Sequence, residues 1–395
     1  MQTAIVGGGA AGFFLAISLK ERVPQMRVVV FEAGQRVLRK VRVSGGGRCN
    51  CTNTFEDVTD LAQVYPRGHR LMKRLLHEFS ARDAYQWFEA HGVRLTVQPD
   101  GCVFPASQDS QSVIDCFLYH SRRLGVEVVT ERRIGDIDEL NEFDFIAVTT
   151  GGGVPPLGEP EGSSLCPSLF SLSIADDGLK GLMGCVVDSV AIGLAGTKFK
   201  AQGPLLVTHW GVSGPSVLRL SSYAARHLFE QNYRATLSVN WLSTTEAELR
   251  PVLSDTALRH PQKQVSTTNP FGLSSRLWQH LVAKAGISKR WGELSAKDLN
   301  RLCNVLVADT YPIAGRAPFR DEFVTCGGIP LQSIDSHTLE SRTRPNLYFA
   351  GEVLDIDGVT GGFNFQAAWT TAYTVAQAIA LKSVKKGHSW LNKNI

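Results

Sequence analysis

Nowhere in the 395 residues does an apolar run approach the length of a membrane span. No C-x-x-C pair occurs among the eight cysteines, which lie scattered from Cys49 to Cys326, so no zinc site is expected and no metal is assigned. Neither sign of charge dominates. Lys and Arg number 41 against 37 Asp and Glu, a net +4 that neither argues for nucleic acid nor excludes it. The chain opens directly on a β-prone run, which leaves no room for a leader. Reduced thiols are the ordinary state for cysteines so placed in a chain of this size. These absences give the expectation of a cytoplasmic protein with no membrane partner, and no obligate protein partner is evident. At 43% hydrophobic and 20% charged, the chain is long enough for two or three domains.

What is present is concentrated at the start. Thr3-Ala-Ile-Val6 is a short apolar run, and Gly7-Gly8-Gly9-Ala10-Ala11-Gly12 fits G-x-G-x-x-G. A helical apolar pattern follows (Phe13, Leu15, Ala16, Leu19), then a second apolar run, Val28-Val29-Val30-Phe31, ending in Glu32. Strand, glycine turn, helix, strand and acid together read as a dinucleotide site. Gly7 permits the tight turn, Gly9 lets the backbone approach a pyrophosphate, and Gly12 lets helix and strand pack closely. The helix N-terminus offers N–H groups and a positive dipole end. Glu32, twenty residues past Gly12, is placed to accept hydrogen bonds from a ribose. The alternative is an ordinary βαβ turn.

Residues 33–40 begin with Ala33 and carry Arg36, Arg39 and Lys40, which either face phosphates and adenine or form a solvated basic loop. Ser44-Gly45-Gly46-Gly47 suits a backbone that must approach a flat ligand, with Arg48, Asn50 and Asn53 as polar handles; a flexible loop is the bland reading. Cys49 is either redox-active beside such a ligand or a buried inert thiol. Residues 68–91 predict amphipathic helix, 93–104 a hairpin turning at Asp100-Gly101, 112–124 helix, and 126–130 and 143–149 strands. The last of these runs into Thr150-Gly151-Gly152-Gly153, and ligands sit where strands of doubly wound sheets end in glycine.

From about Pro167 short β-prone runs take over, at 169–174, 185–192, 197–200, 205–208 and 235–241. Gly211-Val-Ser-Gly-Pro215 opens a helix with Pro215 in its first turn, and 246–308 reads mostly helical. His209, beside Trp210, is either an active-site group or a surface histidine. At the end, Asn346-Leu-Tyr-Phe-Ala-Gly351-Glu352 reads as a buried strand ending in glycine and acid. Gly361-Gly362-Phe363-Asn364-Phe365-Gln366 then opens a helix through about Leu381, a second helix start suited to a group that becomes negative, such as the pyrimidine edge of a reduced flavin. Two such sites favour FAD over NAD as the resident cofactor.

Four motifs in order carry a resemblance. They are Val41-Arg-Val-Ser-Gly-Gly-Gly-Arg-Cys-Asn-Cys-Thr-Asn53, Leu206-Val-Thr-His-Trp-Gly-Val-Ser-Gly-Pro215, Val324-Thr-Cys-Gly-Gly-Ile329 and Gly351-Glu-Val-Leu-Asp-Ile-Asp-Gly-Val-Thr-Gly-Gly-Phe-Asn-Phe-Gln366. Over nearly its whole length the chain resembles the BaiN/YhiN-like flavoproteins, NAD(P)/FAD-dependent oxidoreductases. The resemblance implies an α/β fold: a Rossmann-like FAD-binding domain of the glutathione-reductase type, interrupted by a mainly β insert with a helical subdomain. The FAD domain would be 1–167 with 324–395, and the insert 168–323, β over about 168–245 and 309–323 and helical over about 246–308. Carried over, Gly7, Gly9, Gly12 and Glu32 hold the ADP half; Lys40 and the Ser44-to-Gly47 turn follow, with Ala11, Ala33 and Arg39 among the cofactor contacts and the Ile134 backbone near adenine. Thr150, Gly151, Gly351, Glu352, Gly362, Phe363, Asn364 and Phe365 hold the ribityl and flavin end. The chain is shorter than the family pattern at 134–144 and 158–167.

Members of that family are linked to unlike reactions: reduction of a ribosomal RNA uridine to dihydrouridine, reduction of bile-acid intermediates, and oxidation of small amines such as aminoacetone. The leading expectation is NAD(P)H-driven reduction of a polarised C=C bond, with non-covalent FAD and a transient NAD(P)H, for no second glycine fingerprint marks a nicotinamide site. The substrate is then RNA or a small molecule. For RNA, Trp210 would stack on a base, His209 would deliver a proton, and the basic residues from Arg250 to Arg290 would meet phosphates. The alternatives are an amine oxidase, a bile-acid or steroid reductase, and a non-enzymatic FAD-binding protein.

Overall fold

The computed structural model describes residues 1–152, 164–317 and 324–393. The chain forms two compact units, Met1–Pro167 with Arg320–Ile395, and Ser168–Phe319. The expected shortening at 158–167 and the expected boundary at 323 fall mainly on 153–163 and 318–323, outside the described residues.

The first unit is built on a five-stranded parallel sheet. Its order is Leu347–Phe349, Phe145–Val148, Gln2–Val6, Arg27–Phe31, Glu127–Val129. Ala4, Ile5, Val28, Val30, Phe145 and Ala147 are each 0% exposed. Covering on both faces is why these strands read as unbroken apolar runs rather than alternating ones. Helices Ala10–Arg22 and Phe363–Lys393 pack together, with Phe14 and Trp369 ring centroids 5.4 Å apart. A small antiparallel sheet, ordered Thr52–Asn53, Cys102–Pro105, Leu95–Val97, includes the expected hairpin, with Gly101 at φ 74°.

Three local expectations need correction. Residues 68–91 are two helices, His69–Glu78 and Ala81–Ala90. Ser80 breaks them, because its side chain and Asp83 form a reciprocal capping box that starts the second helix. The last helix runs to Lys393, not Leu381. Arg39 and Lys40 open a helical segment, Arg39–Gly47, rather than closing a loop. It kinks at Ser44 (ψ 148°), and Gly45 and Gly46 take left-handed φ of 57° and 67°.

The second unit is a closed six-stranded antiparallel barrel. Its order is Val186–Leu194, Lys200–Val207, Gly211–Ser213, Leu172–Ile174, Asp309–Arg316, Ala235–Asn240. Val190, Leu205, Val212, Leu237, Val239 and Tyr311 are each 0% exposed. The runs expected at 197–200 and 205–208 form one strand, Lys200–Val207. The run expected at 169–174 is interrupted, with Leu169 at φ 55°. Pro215 begins helix Pro215–Tyr223. Helices Glu246–Arg259, Ser275–Lys284 and Ala296–Val307 follow, each started by an N-cap hydroxyl (Thr245, Ser274, Ser295).

Candidate cofactor site

Gly7 sits at φ 118°, where a Cβ would meet the Thr149 carbonyl oxygen at 2.4 Å. A Cβ on Gly12 would meet the Gly7 oxygen at 2.1 Å. Both glycines are therefore demanded by the fold itself. Gly9 differs: a Cβ there meets nothing within 4 Å. It is the N-cap of the first helix and has extended backbone, with no side-chain cap. The space it leaves open lies where the first-turn amides point.

Thr149, which closes this turn, was not among the expected site residues. Its Oγ1 donates to the carbonyls of Val6 and Gly7, at 3.2 and 2.9 Å. A strand ending in hydroxyl residues before glycine was the only available signal. Thr150 Oγ1 is buried and has no hydrogen-bond partner among the described residues. A buried hydroxyl ordinarily has a partner, and a bound group reaching this atom would supply one.

Glu32 accepts the Gly8 amide on Oε2 at 2.9 Å and the Gly34 amide on Oε1 at 2.8 Å. The carboxylate is thus oriented by the glycine turn before any ligand arrives, and each oxygen keeps capacity for a hydroxyl. The Arg132 amide donates to the Glu32 carbonyl at 3.0 Å, which brings the segment leading to Ile134 alongside the acid. Ala33 is exposed beside it.

Gly46 and Gly47 also leave open space where a side chain would be, the mark of a backbone shaped for close approach. Gly45 is instead packed, its Cβ position 3.1 Å from the Phe104 ring. Ser44 Oγ is turned to the Val41 carbonyl, at 2.8 Å. Lys40 Nζ lies 2.6 Å from Glu352 Oε2, while Glu352 Oε1 accepts the Thr325 amide at 2.9 Å. Gly351 is at φ 79° and its Cβ position falls 2.8 Å from the Ala11 Cβ, so the 351–353 turn backs directly onto the first helix. Gly151 lies 3.8 Å from the Glu352 carboxylate by the same measure.

The asparagine handles serve the protein rather than a ligand. With its amide oriented to suit its neighbours, Asn50 accepts the Gly362 amide at 3.1 Å and donates to the Thr52 carbonyl at 2.8 Å. Asn53 Nδ2 donates to the Gly361 carbonyl at 3.1 Å. A Cβ on Gly362 would strike Thr52 O at 2.2 Å. Phe363 is held by the Tyr65 hydroxyl, which donates to its carbonyl at 2.8 Å. Asn364 closes the Gly358 backbone, accepting from its amide and donating to its carbonyl, each at 2.8 Å. Phe365 stacks on Trp369. The start of the last helix is thereby bolted to 50–53.

Cys49 is 0% exposed, at φ 62°, with the Cys51 sulfur 3.9 Å from its own. Burial pushes the Cys51 thiol well up. Both sulfurs are packed out of solvent, unlike an exposed reactive thiol. His209 belongs to the barrel unit, where it is exposed and edge-on to Trp210 at 4.3 Å. A separate cavity of about 470 Å³ is lined by Gln35, Arg36 and Val37 on one side and by Ile114, Leu118 and Arg122 on the other. It shares no residue with the set above.

The residues therefore fit FAD: open glycines at a helix start, an oriented acid, an unsatisfied hydroxyl, and a Lys–Glu pair joining the two sequence pieces. Fold and site define a dinucleotide-binding oxidoreductase of the Rossmann class. The chain belongs to the HI0933-like family, whose Rossmann-domain model matches residues 1–378. It is similar to the ribosomal RNA dihydrouridine synthase of Escherichia coli, at 30% identity over 96% of this chain and 98% of that protein. It is also similar to the 3-dehydro-bile acid delta(4,6)-reductase of Clostridium scindens, at 24% identity over 96% and 99%. Among solved structures, the 3-ketosteroid delta1-dehydrogenase of Sterolibacterium denitrificans aligns with a TM-score of 0.46 and 11% identity, over 96% of this chain and 99% of that one. The protein is an FAD-dependent oxidoreductase.

Proposed function

We propose that the protein reduces a polarised C=C bond with electrons from NAD(P)H, and that its substrate is a uridine of ribosomal RNA, which becomes dihydrouridine. The observation that carries this reading is full-length similarity to the ribosomal RNA enzyme. The charge distribution supports it: residues 168–319 hold sixteen Lys and Arg against ten Asp and Glu, so the cationic excess resides in the barrel unit.

In this reading 1–167 with 324–395 is the FAD-binding domain and 168–323 is the substrate-bearing insert. Bound FAD supplies hydride exchange between the nicotinamide and the uracil ring. The chain does the rest. The Gly9 turn and the first-helix amides hold the pyrophosphate, Glu32 the ribose, and the Gly46-Gly47 backbone and the 362–365 helix start the flavin end. His209 is assigned the proton donor, since the product needs one hydride and one proton across its C5–C6 bond. In the same reading the protein works in the cytoplasm, alongside its ribosomal RNA substrate.

The test is anaerobic. Protein as isolated, yellow with FAD, is mixed with NADPH or NADH, then with unmodified ribosomal RNA transcripts. Bleaching by one nicotinamide, reoxidation by RNA and a two-dalton mass gain in the RNA are expected. Bleaching by a small amine, or reoxidation by an unsaturated steroid but not by RNA, moves the substrate to the small-molecule class. The bile-acid relative keeps that second reading in view.

A further inference from the structure

The cavity of about 470 Å³ in the first unit has a chemistry of its own. It opens between residues 35–42 and one face of helix Gln111–Arg123. Ile114, Leu118, Ser121 and Arg122 fall at i, i+4, i+7 and i+8, a single stripe along that helix. Phe13 and Val126, both buried, and Val128 extend the apolar floor. Val128 is 39% exposed on the outermost strand of the sheet, so part of this hydrocarbon stays open to solvent. The volume falls within the range of small-molecule sites, roughly 300–1,000 Å³.

Its polar groups are unevenly committed. Three arginines line the cavity, Arg36, Arg42 and Arg122, and no Asp or Glu does. Arg42 is tied at the start of the helix, where its Nη1 donates to Gln111 Oε1 at 2.9 Å. Gln35, also in the wall, donates from Nε2 to Glu131 at 3.1 Å. The other end of the stripe differs. Ser121 is 2% exposed, and its Oγ has no hydrogen-bond partner among the described residues. A helical serine can return its hydrogen to a carbonyl one turn back; this one does not. Exposed arginines alone would mark no site, since water solvates them. A hydroxyl shut away from water in the wall of a cavity lacks that recourse, and an acceptor inside the cavity would satisfy it. Arg122, the next residue, favours an acceptor that is an anion.

We propose that this cavity binds a carboxylate with an apolar body, its head held by Ser121 Oγ and the Arg122 guanidinium and its hydrocarbon laid along Leu118 and Ile114. From Ile114 to Arg122 the helix rises about 12 Å, which gives the body its length. Burying that body covers Val128 and the helix stripe, the hydrophobic part of the affinity. Arg36 and Arg42 keep the field at the rim positive and draw the anion in. The loop that forms one wall also braces the glycine turn, for the Leu38 amide donates to the Gly8 carbonyl at 2.8 Å. The ligand would thus sit behind the cofactor's turn rather than in it. The inference is independent of the RNA reading.

The test uses FAD-loaded protein, so that any overlap with the cofactor shows as release of FAD. Decanoate, kept below its micelle concentration, and uncharged 1-decanol are titrated calorimetrically. One decanoate per chain is expected, with FAD retained and 1-decanol at least about tenfold weaker, the loss of a charge-assisted hydrogen bond. Ser121→Ala should weaken decanoate about two- to tenfold and Arg122→Gln about tenfold or more, while 1-decanol is little changed by Arg122→Gln. Leu118→Trp, which fills the cavity, should abolish binding of both. FAD content and melting temperature establish that each variant folds; should Leu118→Trp fail there, Ser121→Ala and Arg122→Gln decide. Equal affinity for decanoate and 1-decanol reduces the cavity to an apolar crevice and overturns the proposal. So do wild-type affinity in Ser121→Ala and Arg122→Gln, displacement of FAD by decanoate, or no binding at any concentration short of micelles.

Discussion

Lys40 and Glu352 stand 312 residues apart in sequence and 2.6 Å apart in the folded chain. The pair joins the helix after the second strand to the turn after the last one. Its two ends are unequal: the Lys40 side chain is 57% exposed and that of Glu352 19%. An exposed ammonium gains little from such a pair, so Lys40→Ala should cost the apoprotein at most about 1 kcal/mol. Glu352→Ala should cost more, about 1–3 kcal/mol, because the Thr325 amide loses its acceptor as well. Urea denaturation of the two apoproteins measures both. Equal costs would mean that the Thr325 contact adds nothing.

Glu32 carries two tasks, and its substitution should show both. The carboxylate holds the Gly8 and Gly34 amides and is free to accept from a ribose. Losing a charge-assisted hydrogen bond costs roughly 1.5–3 kcal/mol. Glu32→Ala should therefore weaken FAD binding about ten- to a hundredfold while the apoprotein still folds. Calorimetric titration of apoprotein with FAD gives the number. An unchanged dissociation constant would reduce Glu32 to a brace for the glycine turn.

What could be read from the sequence was local. Gly7 to Gly12, the helix behind them and Glu32 form one continuous stretch, and the structure builds them within a few ångströms. The hairpin at Gly101 was legible for the same reason. Pairings made at long range were not. Nothing near Phe145 or Leu347 announces that Phe145–Val148 lies between Gln2–Val6 and Leu347–Phe349, since a parallel neighbour is chosen by burial on both faces rather than by a turn. Barrel closure was hidden likewise, because Leu172–Ile174 pairs with Asp309–Arg316 across a long intervening stretch of chain with no turn between them to announce it. The break at Ser80 was missed because neither glycine nor proline marks it. Thr149 was missed because its role lies in a backbone contact 142 residues away.

His120 gives a prediction in pH. It is 7% exposed, with Nε2 3.2 Å from the His91 carbonyl and Nδ1 buried with no partner among the described residues. Burial is the main reason that its pKa is lowered in the folded state; the hydrogen bond to the His91 carbonyl and the Glu21 charge oppose the shift, while the His91 and Arg123 charges add to it. A histidine lowered on folding costs nothing at high pH. As pH falls through its unfolded value, about 6.5, the unfolded chain takes up the proton first and stability drops until the folded value is reached. His120→Gln should therefore lose less stability than wild type between pH 7.5 and 5.5, as urea midpoints will show. Parallel losses in the two proteins would place the titration elsewhere.

The three glycines of the first turn should separate folding from cofactor binding. Gly12 is closed in by the fold: a methyl there would lie 2.1 Å from the Gly7 oxygen and 2.8 Å from Thr149 Oγ1. Neither neighbour can yield easily, for one is backbone and the other is pinned by two carbonyls. Gly12→Ala should accordingly destabilise the apoprotein, by about 1–3 kcal/mol as overpacking commonly does. Gly9 meets nothing within 4 Å and has φ −91° with extended ψ, a conformation open to any residue. Gly9→Val should leave the apoprotein's melting temperature close to wild type, yet fill the space through which a pyrophosphate reaches the helix amides. Its FAD affinity should fall at least about tenfold, the loss of roughly one charge-assisted hydrogen bond. Gly7, at φ 118° and against the Thr149 carbonyl, should behave like Gly12. Purified apoproteins, melted and then titrated with FAD, decide the matter. Should Gly9→Val bind FAD as tightly as wild type, the pyrophosphate does not pass over Gly9, and the cofactor's course along the turn must be drawn again.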